Sequence, residues 1–218
     1  MIVNILKNNH TISKPFRSIL GVDTLKSEKK EKHTLMALNS PRLSEVACLL
    51  VDKYNIDCII ETGTFLGRGT TKSYAFTGVE VHSCESNGVS YKKATENIGY
   101  LPHVFLNHAN STDRKDLPAK LVKKIQVENI AKEQNWLAKT LLAKKDKRIL
   151  LSLDSGGAIG QKEMTVALDA IKEYNNVRCL ILDDLHQVKH KDSPDRIHED
   201  LGLDIYQVEH RWGFTVVE

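Results

Sequence analysis

The chain has 218 residues, 41% of them hydrophobic and 27% charged, with a formal net charge of +3. That length suits one well-buried core plus an extension, and the composition is ordinary for a soluble globular protein. The charge is too small and too dispersed to argue for nucleic acid; the densest run, "KSEKKEK" at 26–32, reads as a solvated linker.

Residues 1–38 are polar and basic with scattered apolar positions, and are expected to form an N-terminal extension or lid on a main domain of residues 39–218. The start "MIVNILKNNH" has too short an apolar stretch for a signal peptide, and no run approaches the roughly 20 apolar residues of a bilayer span. No membrane partner is expected. Cys48, Cys58, Cys84 and Cys179 form no C-x-x-C pair and lie in or beside apolar runs. They read as reduced core residues of a cytoplasmic protein.

A helix is expected over "NSPRLSEVACLLVDKYN", with Ser40 as N-cap and Pro41 at the first helical position. The chain then alternates. "DCIIET" (57–62) is a buried strand and "GRGTTKSYAF" (67–76) begins a helix; "VEVHSCE" (79–85) is a strand and "GVSYKKATENIG" (88–99) a helix; "HVFLNHA" (103–109) is a third strand. Residues 117–145 are helix-rich, "RILLSLD" (148–154) is a fourth strand, "KEMTVALDAIKEY" (162–174) a helix and "VRCLILDD" (177–184) a fifth strand. Two last strands, 204–210 and 213–218, are close enough to pair antiparallel. Continuous Val/Ile/Leu runs separated by helices predict an α/β fold: a Rossmann-like three-layer sandwich around a mostly parallel seven-stranded sheet with an antiparallel C-terminal strand. Such sheets bind ligands at the carboxyl ends of their strands, where strand order reverses.

The candidate site residues fall at those ends. Glu61, Gly63, Gly67 and Gly69 mark the turn after the first strand, where glycine permits positive φ and close approach of a ligand. A tight strand–helix connection would use the same residues. The turn is neither a P-loop nor G-x-G-x-x-G, so nothing in it asks for a phosphate. Glu85 ends the second strand, the place from which an acid accepts hydrogen bonds from two ribose hydroxyls. Asn110, Ser111 and Asp113 follow the third strand and offer polar groups to an adenine edge, although the same residues are common turn formers. Together they describe a pocket for an adenosine without phosphates.

"ETGTFLGRGT", "CESN", "NSTD", "LDSGG" and "LILDDLHQV", in this order, resemble the class I S-adenosylmethionine-dependent methyltransferases. More narrowly, they resemble the branch of macrocin O-methyltransferase and the cephalosporin hydroxylase-like proteins, over roughly residues 40–218. The resemblance implies that Glu61 and Gly63 face the methionine moiety of S-adenosylmethionine, with Thr64 and Phe65 lining it. Glu85 would hold the ribose, with Ser86 beside it, and Ser111 and its neighbours, Asn110 among them, would flank the adenine. "LDSGG" departs from the "LDAH"-like sequence of that branch, so no histidine is expected to act there.

Asp154 ends the fourth strand and Asp183 and Asp184 the fifth. On neighbouring strands they would converge on one rim, and a hard divalent ion such as Mg²⁺ would relieve their repulsion. Such an ion binds vicinal acceptor oxygens and lowers a hydroxyl pKa. The alternative is that Asp183 or Asp184 caps a loop and Asp154 touches only the cofactor. His186 is the candidate general base beside Asp154, with His190 a second. Lys189 and Lys191 are expected in a mobile loop, and Trp212 in a turn as a substrate wall or a core residue. The expected activity is metal-assisted O-methyl transfer to a small-molecule acceptor. A noncatalytic adenosine-binding protein is the rival; an NAD-dependent oxidoreductase is disfavoured by the missing pyrophosphate turn. A homo-oligomer exchanging the N-terminal arm fits this layout.

Overall fold

A computed structural model describes residues 41–116, 129–156, 159–208 and 212–217. The expected extension at 1–38, the Ser40 cap, helix at 117–128 and Arg211 lie outside them. The chain runs α1 (Pro41–Tyr54), β1 (Cys58–Thr62), α2 (Thr70–Ala75), β2 (Glu80–Glu85), α3 (Gly88–Ile98) and β3 (Val104–His108). After a single 3-10 turn at Arg114–Asp116 come α4 (Trp136–Ala143), β4 (Ile149–Leu153), α5 (Ile159–Tyr174), β5 (Val177–Leu182), α6 (Ser193–Leu201), β6 (Tyr206–Gln207) and β7 (Gly213–Val216).

The seven strands form one sheet in the order β3-β2-β1-β4-β5-β7-β6. β1 to β5 pair in parallel, and β7 enters antiparallel beside β5 and carries β6 antiparallel at the edge. Strand alternation divides the core. Cys58, Ile60, Leu151 and Leu153 face α4 and α5, where Leu137, Met164, Leu168 and Ile171 bury against them. Ile59, Leu150 and Ile181 face the other way, toward α1, Tyr74 of α2 and Trp212. On α1 the burying residues are Leu43, Val46, Ala47, Leu50 and Val51, one stripe of a 3.6-residue repeat.

β1 and β4 are neighbours at the point where the chain turns from building one half of the sheet to building the other. A crevice opens at their carboxyl ends, and the candidate residues collect there. Several differences from the sequence expectation are local, among them α5, which begins at Ile159 rather than 162. α2 starts at Thr70 rather than 67, and β6 is only two residues long. Within the described part of 117–145 the helix is α4 alone. Residues 193–201, for which no element was predicted, form α6, with Pro194 in its first turn and Gly202 closing it in the left-handed region. Trp212 is buried in the core and is no open wall. All four cysteines are unpaired, and no helix among the described residues is long and apolar enough to cross a membrane.

Candidate functional site

The turn after β1 is built on left-handed backbone and a buried acid. Gly63 has φ +84°, and a Cβ there would lie 2.6 Å from the Asp154 carbonyl oxygen. Gly67 has φ +67°, and a Cβ there would meet the Ile98 side chain at 2.8 Å. Phe65 is also left-handed, at φ 52°, and 52% exposed. The Gly63 and Thr64 amides donate to the Cys84 carbonyl at 3.0 and 3.1 Å, fastening the turn to β2. Underneath, Glu61 is fully buried. Its Oε2 accepts from Thr71 Oγ1 and Ser83 Oγ, each at 2.6 Å, and Ser83 in turn meets Thr64 Oγ1 at 2.5 Å. Burial pushes the Glu61 carboxyl up to about 7, against the pull of the Ser83, Thr70 and Thr71 hydroxyls. Glu61 therefore braces the turn from below.

Glu85 closes β2 beside that turn. Its Oε2 accepts from the Phe65 amide and its Oε1 from the Asn87 amide, both at 2.8 Å. Burial raises its pKa and these amides oppose the rise. Asn87 caps α3 by accepting from the Val89 and Ser90 amides, so acid and cap fix each other. Ser86 lies next to them, half-buried, and its carbonyl accepts from the Ala131 amide.

Past β3, Asn110 and Ser111 are buried. The Asn110 amide group donates to the carbonyls of Ala131 and Glu133 at 2.9 and 3.2 Å, pinning the 129–135 segment along the crevice. Ser111 lies near a residue that sequence reasoning missed, Glu163 of α5. That carboxylate is fully buried and accepts from Thr62 Oγ1 at 2.9 Å; Thr62 Oγ1 also receives the Asp154 amide at 3.1 Å. Burial raises the Glu163 pKa, with the Ser111, Ser155 and Thr62 hydroxyls opposing. A signal was present: Glu163 lies on the same helical stripe as Met164, Ala167 and Ile171. Around the crevice, Glu61 Oε1, His108 Nε2, Asn110 Oδ1 and Thr112 Oγ1 are buried with no hydrogen-bond partner among the described residues. Buried polar atoms are normally satisfied, and a polar ligand lying across the strand ends would supply partners.

The three acids meet as expected: Asp154, Asp183 and Asp184 bring carboxylate oxygens within 4.8 Å of one another. Lys189, which is 2% exposed rather than solvated, reaches into this cluster. Its Nζ donates to Asp154 Oδ1 at 2.8 Å and stands 3.3 Å from Asp184 Oδ2. Burial alone would push this ammonium down, but Asp154, Asp183 and Asp184 hold it above its ordinary value. Burial and then Asp183 drive Asp154 well above the carboxylate range, with Lys189 pulling back. Mg²⁺ would need those oxygens at about 2.1 Å in a near-octahedral shell, which leaves no room for the ammonium. As arranged, the residues do not fit a resident divalent ion.

His186 sits on the exposed stretch two residues past Asp184, whereas His190 is fully buried between the Leu153 carbonyl and the Ser193 hydroxyl. Burial, reinforced by Lys189, pushes His190 down to about 4, so it stays neutral and serves the loop's architecture. Lys191 is exposed.

No family model matches the chain, and no curated protein does. Solved structures do. A caffeoyl-CoA O-methyltransferase candidate from Staphylococcus aureus superposes with a TM-score of 0.54 at 11% identity, covering 100% of this chain and 97% of that one. The SAH-bound methyltransferase PaMTH1 of Podospora anserina gives 0.52 at 10% identity, covering 100% and 93%. An O-methyltransferase from Bacillus cereus in complex with SAH gives 0.52 at 14%, covering 99% and 96%. At such identities the likeness is one of architecture: this chain has the fold of those methyltransferases.

Proposed function

We propose that the chain is an S-adenosylmethionine-dependent O-methyltransferase acting on a hydroxyl of a small acceptor. The acceptor kind, glycosyl or natural-product, follows the resemblance to the macrocin O-methyltransferase branch. The carrying observation is Glu85 at the end of β2, locked to the Phe65 amide across the Gly63–Gly67 turn, on a fold whose neighbours were solved with SAH. Unpaired cysteines suit a reducing compartment such as the cytoplasm.

The residues present fit the cofactor. The left-handed Gly63 turn lets the ends of β1 and β4 close up beside the crevice, and both Glu85 oxygens retain lone pairs for ribose hydroxyls beyond the amides they hold. Asn110 Oδ1 and Thr112 Oγ1, just past β3, have no hydrogen-bond partner among the described residues, and an adenine edge would offer them donors. When bound, S-adenosylmethionine supplies an electrophilic methyl group on a sulfonium. The chain's part is to place that group and the acceptor in line, which needs no covalent enzyme intermediate. The carboxyl groups of Asp154, Asp183 and Asp184 form the acceptor side of the rim, where an ionised one accepts a hydrogen bond from an incoming hydroxyl, orients it, and takes its proton as the methyl group passes to oxygen and S-adenosylhomocysteine leaves.

Calorimetric titration with S-adenosylmethionine, S-adenosylhomocysteine and NAD tests the reading. Binding of the first two and not of NAD is the expected result. Binding of NAD alone would defeat it.

A further inference from the structure

Lys189 comes from "HQVKHK", a stretch expected as a loop. Its burial is built in by the backbone. At Gly160, in the first turn of α5, an added Cβ would lie 2.7 Å from Lys189 Cβ and 2.9 Å from its carbonyl oxygen. Only glycine lets helix and loop close to that distance. The residues on either side are tied down as well. Gln161 Nε2 donates to the Val188 carbonyl at 3.1 Å, and His190 Nε2 lies 3.1 Å from the carbonyl of Leu153 at the end of β4. The ammonium thus reaches the rim on a docked backbone, not on a free arm.

We propose that Lys189 is the built-in cation of this rim. It stands where a divalent ion would otherwise be needed to hold Asp154, Asp183 and Asp184 together, and methyl transfer on this chain needs no metal. Carboxylates gathered this closely and this deeply require a counter-charge, and Lys189 provides one with two contacts at 2.8 and 3.3 Å. One ammonium among three acidic side chains leaves acceptor oxygens over. An acceptor that brings a hydrogen-bond donor, a neutral hydroxyl or a cationic group, is welcomed there. One that brings vicinal oxyanions to be chelated is repelled. Metal and lysine readings therefore select opposite acceptor charges. The inference rests on the methyltransferase reading for what the rim does, but its cation is testable without cofactor.

The test is Mn²⁺ titration of the full chain, followed by electron paramagnetic resonance of the free ion, on wild type and Lys189→Ala, with melting curves on the same samples. Wild type is expected to take up no stoichiometric Mn²⁺. K189A is expected to bind one ion per chain at least roughly tenfold more tightly than wild type, and to melt higher with Mn²⁺ while wild type does not respond. Stoichiometric Mn²⁺ on wild type, unchanged or weakened in K189A, would overturn the proposal. So would a K189A chain that binds no ion and melts where wild type melts, because the ammonium would then neutralise nothing. If K189A does not fold, the pair K189M and D154N/K189M decides. Recovery of folding in the double variant supports charge neutralisation, and equal failure of both overturns it. S-adenosylmethionine titration of the wild-type sample reports on the cofactor reading separately.

Discussion

Gly63 and Asp154 bring the ends of β1 and β4 into backbone contact: a Cβ on the glycine would stand 2.6 Å from the carbonyl oxygen of the aspartate and 2.9 Å from its carbonyl carbon. The glycine also holds φ +84°, so alanine there meets two separate penalties. Gly78, at φ +77° with nothing within 4 Å of its would-be Cβ, meets only the first. Gly78→Ala should cost about 1 kcal/mol from the left-handed backbone alone. Gly63→Ala should cost about 2–3 kcal/mol, the excess coming from the forced parting of the strand ends. Urea unfolding of both variants checks this. Equal losses would mean that the close approach carries no energetic weight.

Glu85 bridges the amides of Phe65 and Asn87. Glu85→Ala should weaken S-adenosylmethionine binding by about 1.5–3 kcal/mol, the range for hydrogen bonds to a charged group. Glu85→Gln should lose less, since its carbonyl oxygen can still hold one of the amides. Calorimetry on both variants gives the comparison; unchanged affinity in Glu85→Ala would show that the ribose lies elsewhere.

The parallel half of the sheet was legible because β1, β4 and β5 are buried on both faces and so read as unbroken apolar runs. That Gly63, Glu85 and the three aspartates would gather at one edge was legible as well, since each lies at or just past a strand end and strand ends converge by topology. Lys189 was not. Its burial depends on Gly160 and on acids from the ends of two other strands, and no local pattern announces a contact made across such separations. α6 was missed for a different reason. Ile197 is its only fully buried apolar side chain, too little for a helical repeat to show through "SPDRIHEDL", although Pro194 and Gly202 marked both of its ends.

His190 gives the molecule an acid-sensitive element. Its pKa falls to about 4 in the folded chain, chiefly through burial, against about 6.5 when unfolded. The unfolded chain therefore binds the extra proton first, and this contribution is complete above pH 6.5 and lost as pH falls toward 4. His190→Gln should remove that part of the slope: urea midpoints of variant and wild type should converge on acidification from pH 6.5. A gap that stays constant across that window would show that His190 does not titrate in it.

Glu61 acts in the opposite sense. Its folded pKa is raised to about 7 from an ordinary 4.5, so the folded chain holds the proton that the unfolded chain has released. Stability from this group is full below pH 4.5 and lost as pH rises through 7. A shift of that size corresponds to about 3–4 kcal/mol at most. Glu61→Gln keeps a carbonyl oxygen for Thr71 and Ser83, whose hydroxyls both bond Oε2, but carries no charge at any pH. The variant should match or fall slightly below wild type at pH 4.5 and gain on it steadily up to pH 7, beyond which the difference levels off. Because His190 and Glu61 oppose each other between pH 4.5 and 6.5, wild type should change little from this pair over that range. Glu61→Gln should lose about 1.4 kcal/mol per pH unit on acidification there, the slope of His190 left uncovered. Denaturant titrations of the two chains at half-unit pH intervals measure the difference directly. A difference that does not vary with pH would place a charged Glu61 in the folded turn at neutral pH, and the hydroxyl cage beneath the Gly63 turn would then have to bear that charge.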